Sequence, residues 1–129
     1  MEIKDFYIHL GKLLYSVAMA DGEVQDEEMQ ELYKLVISEL SDENMFDQEE
    51  VNVFHTEFEF EELMDNNASK EEAFNAFVKY FDENHQNFTP HMKKVTIYAV
   101  EQIAKAFDGI VEEELIMINE LKDRLKVIS

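Results

Sequence analysis

An all-α fold is what this sequence predicts: a single compact domain of six or seven helices, in which two helical hairpins form a pseudo-symmetric pair. Three observations carry the prediction. Only three Gly and one Pro occur in 129 residues, which argues for long uninterrupted helices and few tight β-turns. Apolar residues recur at three- and four-residue spacing over most of the chain. Asp-Gly occurs twice, each time where such a run stops and shortly before a cluster of acids. One domain over residues 1–129 suits the length, and 46% hydrophobic residues with ten Phe and five Tyr supply a core.

The first helix is read from Ile3, Phe6, Leu10, Leu13, Leu14, Val17 and Ala18, and stops at Asp21-Gly22. Gln25-Asp26-Glu27-Glu28 is the acidic first turn of a second, whose apolar face is Met29, Leu32, Tyr33, Val36 and Leu40. Ser41 to Asp47 is a polar connection that sets Asp47 as cap of a third helix, with Val51, Phe54, Phe58 and Met64 inward. Glu57 to Glu61 alternates with period two, as a strand would, but no partner strand or hairpin turn stands nearby, so helix is kept. Residues Asp65 to Ser69 form a turn; Ser69, three before Glu72 as in a capping box, opens a helix burying Phe74, Phe77, Val78 and Phe81. Thr89-Pro90 opens the next, with the hydroxyl as cap and Pro where its missing amide costs least. Its apolar residues are Val95, Tyr98, Val100, Ile103, Ala104 and Phe107, and it stops at Asp108-Gly109. The last helix starts at Glu112-Glu113-Glu114 and runs through Leu115, Ile118, Leu121, Leu125 and Ile128, with Lys122, Arg124 and Lys126 suited to its carboxyl-end dipole.

Placing Asp21 on Asp108 brings the two junctions into register. Leu10, Leu13, Val17 and Ala20 then face Ile97, Val100, Ala104 and Phe107, and the shared core is Asp-Gly-x-Val followed by acids. Such phasing on both sides points to a duplicated helical hairpin. The arrangement resembles the tellurite-resistance TerB-like family. The resemblance is carried by Ala18-Met19-Ala20-Asp21-Gly22-Glu23-Val24 with Glu27-Glu28, and by Ile103 to Val111 with Glu112-Glu113-Glu114. It implies a small helical domain with two helix-loop-helix units, an association with tellurite resistance and stress response, and divalent metal held by the junction acids. The second copy departs from the family pattern at Phe107, and has Leu115 where the first has Glu28, so its site is not expected to equal the first.

Hard cations want carboxylate and carbonyl oxygen, and an Asp at a helix end can face a Glu from the next helix's first turn. The candidate ligands are Asp21, Glu23 and Glu28 at the first junction, and Asp108, Glu112 and Glu114 at the second. The expected cofactor is a weakly bound divalent cation, Ca²⁺ or Mg²⁺, with no organic cofactor. The competing account is that Gly turns the chain and the acids favour the helix dipole. An EF-hand loop is rejected because Val17 and Met19 would fill its first and third ligand positions.

Enzyme motifs fail in turn. The residues three before His9, His55, His85 and His91 are Phe6, Asn52, Asp82 and Phe88, so the Glu-x-x-His pairs of a di-iron bundle are missing. A phosphate-binding Gly loop and a Gly-x-Ser-x-Gly elbow are also missing, and zero Cys excludes thiolate chemistry. His55, near Glu57 and Glu59, is read as structural or solvated. The chain is therefore expected to be non-enzymatic.

Thirty acids against eleven Lys and Arg leave a formal charge of −19, which speaks against direct nucleic-acid binding. Residues 21–62 alone hold sixteen acids and one base, Lys34. Such a run is usually a solvated face, and otherwise a docking surface for a basic protein. No stretch reaches the roughly 20 apolar residues of a membrane span, so a cytoplasmic protein without membrane insertion is expected. Two functions follow: a TerB-like module that binds a divalent cation and works through protein partners, or a metal-independent acidic helical adaptor or nucleic-acid mimic docking on a basic protein surface.

Overall fold

The computed structural model describes residues 3–19, 50–106 and 112–126. They form helices α1 (Ile3–Ala18), α2 (Glu50–Asp65), α3 (Lys70–Asn84), α4 (Pro90–Ala106) and α5 (Glu112–Lys126), with a 3₁₀ turn at His85–Asn87. No strand occurs among the described residues. The expected helix with Met29 to Leu40, the Ser41–Asp47 connection and its Asp47 cap, and both Asp-Gly junctions lie outside them.

Helix α1 is the centre of the packing and touches α2, α3 and α4. Phe6, Tyr7, Leu10, Leu13, Leu14, Tyr15, Ser16, Val17 and Ala18 are all buried, so the helix is covered nearly all round. Ser16 hides its hydroxyl by donating to the Leu13 carbonyl at 2.6 Å.

Along α2 the buried positions are Thr56, Phe60 and Met64, at four-residue spacing. The expected inward Phe58 is instead 53% exposed. Positions two apart on a helix are rotated by about 200°, so Phe58 and Phe60 cannot share a face. Thr56 sets the phase, because its hydroxyl donates to the Tyr7 carbonyl at 2.8 Å and it lies against Gly11. The side chains of Val51 and Phe54 are outside the described residues.

The α2–α3 turn closes on a Schellman motif. Ala68 N–H bonds the Leu63 carbonyl at 3.0 Å and Asn67 N–H the Met64 carbonyl at 3.2 Å, with Asn67 at φ 49°. Ser69 caps α3 by accepting from the Glu72 amide at 3.3 Å, while its hydroxyl donates to the Glu71 carboxylate at 3.0 Å. The carboxylate engaged is thus one residue earlier than the capping box expected. Helix α3 buries Ala73, Phe77, Tyr80 and Phe81, leaving Phe74 and Val78 half-buried.

Phe88, which the helical phasing passed over, packs edge-on to Phe6, Phe77, Tyr80 and Phe81 with centroids 4.7 to 6.4 Å apart. Thr89 caps α4 as expected, accepting from the Met92 amide at 3.1 Å. Helix α4 buries Met92, Val95, Thr96, Ala99, Val100 and Ile103, and leaves Tyr98 half-buried; the side chains of Ala104 and Phe107 are outside the described residues. Helix α5 packs on α4 through Ile118, Leu121 and Leu125, the expected residues. Lys122 pairs with Glu101 of α4 at 2.8 Å, and Arg124 approaches Asp82 of α3 at 3.8 Å and Glu120 at 3.6 Å. These two cations hold neighbouring helices as well as suiting the end of their own.

Candidate functional site

Two regions are candidates for a functional site, one expected from the sequence and one not. Of the junction acids, Asp21, Glu23, Glu28 and Asp108 lie outside the described residues. Glu112 and Glu114 stand in the first turn of α5, which follows the end of α4 after residues 107–111. The acidic helix start is therefore where the spacing put it, and the helices on either side of Asp108-Gly109 pack on each other. Among the described residues, no three of His, Asp and Glu gather closely enough to hold a metal ion. His55 is half-buried on α2 and belongs to no such group.

The unforeseen region is an open groove of about 470 Å³ between α1 and α3, lined by Asp5, His9, Ala76, Lys79, Tyr80 and Glu83. Helices α1 and α3 run in opposite directions, since Tyr15 donates to the Ala68 carbonyl at 2.8 Å while Phe6 meets Phe88. His9 is thereby set over Tyr80. The rings stack with centroids 4.0 Å apart and 10° between planes. His9 Nδ1 donates to the Asp5 carbonyl at 2.8 Å, which fixes the tautomer and leaves Nε2 as an acceptor in the neutral ring.

Burial is the main influence on His9 and holds its pKa below the ordinary 6.5, aided by Lys12 and opposed by the Asp5 carbonyl and the Asp5 and Glu83 carboxylates. The imidazole is therefore neutral at pH 7. Tyr80 is 8% exposed, and its hydroxyl is buried without a hydrogen-bond partner. Burial and then the Asp5 charge push the phenol up to about 12. Lys79 reaches Glu83 only at 4.0 Å, with both side chains mostly exposed.

Each half of the groove is written in the sequence as a stripe: Asp5 and His9 at i and i+4 on α1, and Ala76, Tyr80 and Glu83 at i, i+4 and i+7 on α3. Neither stripe announces the other, because their meeting depends on how α3 docks. No protein-family model, curated protein or solved structure matches the chain.

Proposed function

We propose that the chain is a non-enzymatic, cytoplasmic TerB-like module of tellurite or stress response. In this reading it binds a divalent cation weakly through Asp21, Glu23, Glu28, Asp108, Glu112 and Glu114 and works through protein partners. The observation that carries the reading is the acidic first turn of α5, directly after a short Asp-Gly connection and packed back on α4. Its counterpart in sequence follows α1. Oxygen ligands on two successive elements are what Ca²⁺ or Mg²⁺ would bridge, with water and backbone carbonyls completing the shell. In support of a solution module, no described helix is long and apolar enough to cross a membrane.

The test separates coordination from the diffuse counterion layer that a charge of −19 gathers. A coordinated ion stabilises the folded state by RT ln(1 + [L]/Kd), about 2.7 kcal/mol at a hundredfold excess over Kd. Millimolar Ca²⁺ or Mg²⁺ should therefore raise the melting temperature beyond NaCl of matched ionic strength. Asp21→Asn should remove more of that excess than Asp108→Asn, because the first junction keeps Glu28 where the second has Leu115. Coincident melting curves in matched salts would make the junctions simple turns and leave the metal-independent acidic adaptor as the better account.

A further inference from the structure

We draw no further inference here: the strongest candidate, the open groove between α1 and α3, brings the carboxylates of Asp5 and Glu83 to one surface depression, and nothing in the structure points to what would bind there.

Discussion

The two faces of α1 are packed in opposite ways. Against α2 the closest approach is at the smallest side chain in the helix, with a ring contact beyond it, Tyr15 edge-on to Phe60 at 5.8 Å. A Cβ at Gly11 would stand 2.7 Å from the Thr56 carbonyl oxygen and 3.1 Å from Glu59 Cβ. Close backbone approach lets the Thr56 hydroxyl reach the Tyr7 carbonyl, and the seam keeps its buried hydroxyl satisfied. Against α3 and the connection that follows it the contact is made by rings: His9 on Tyr80, and Phe6 on Phe88. The groove lies along this contact, and the Tyr80 phenol is buried there without a partner. A glycine seam is therefore intolerant of added volume, and an aromatic seam is intolerant of its removal.

Truncation on the aromatic side should have the largest effect. Phe88→Ala removes the ring that four others meet edge-on and should cost about 3–5 kcal/mol, read by urea or guanidinium unfolding. On the glycine side the opposite change is the damaging one. Gly11→Ala should cost about 1–3 kcal/mol in the same assay through the clash at 2.7 Å, even though Ala favours the helix by about 1 kcal/mol. A neutral or stabilising Gly11→Ala would mean the seam can spread, and the contrast between the two faces would fail.

Titration sharpens the same contrast, because the two faces respond to pH with opposite sign. His9, on the α3 side, has its folded pKa lowered chiefly by burial. Its neutral form is the one the fold accepts, so its contribution is present above the unfolded value of 6.5 and lost as pH falls through the folded value. His9→Gln should flatten the fall in stability below pH 6.5. Glu59, on the α2 side, has its pKa raised above 4.5 chiefly by burial, with Lys12 opposing and Glu62 adding. Its contribution is fully present below 4.5 and lost as pH rises through the raised value. Glu59→Gln should therefore be stabilising at pH 7 and nearly silent near pH 4, as thermal melts at the two pH values would show. The smallest effect belongs to Tyr80→Phe, which deletes an unpartnered buried hydroxyl and should leave stability unchanged or raise it by up to about 1 kcal/mol. A clear loss would reveal a partner for that hydroxyl in solution.

The parts of this molecule legible in the sequence are those decided within one or two helical turns. Thr89-Pro90 and Ser69 start helices because a hydroxyl can reach the amide three residues on, and Asn67 ends one because its short side chain tolerates positive φ. The acidic start at Glu112 and the buried Ile118, Leu121 and Leu125 follow from spacing alone. The rotation of a helix about its own axis is a different quantity. Phe58 and Phe60 are equally apolar, and only the Thr56–Tyr7 bond and the flat spot at Gly11 turn Phe60 in and Phe58 out. His9 and Tyr80 are 71 positions apart, and Lys122 and Glu101 21 apart, so no local rule pairs them. Sequence determined the described helices and their ends at Asn67, Ser69 and Thr89, because capping and turn energies act between near neighbours. Tertiary structure decided the groove, the seam and the ion pairs, because these depend on how surfaces on different helices fit when they are brought together.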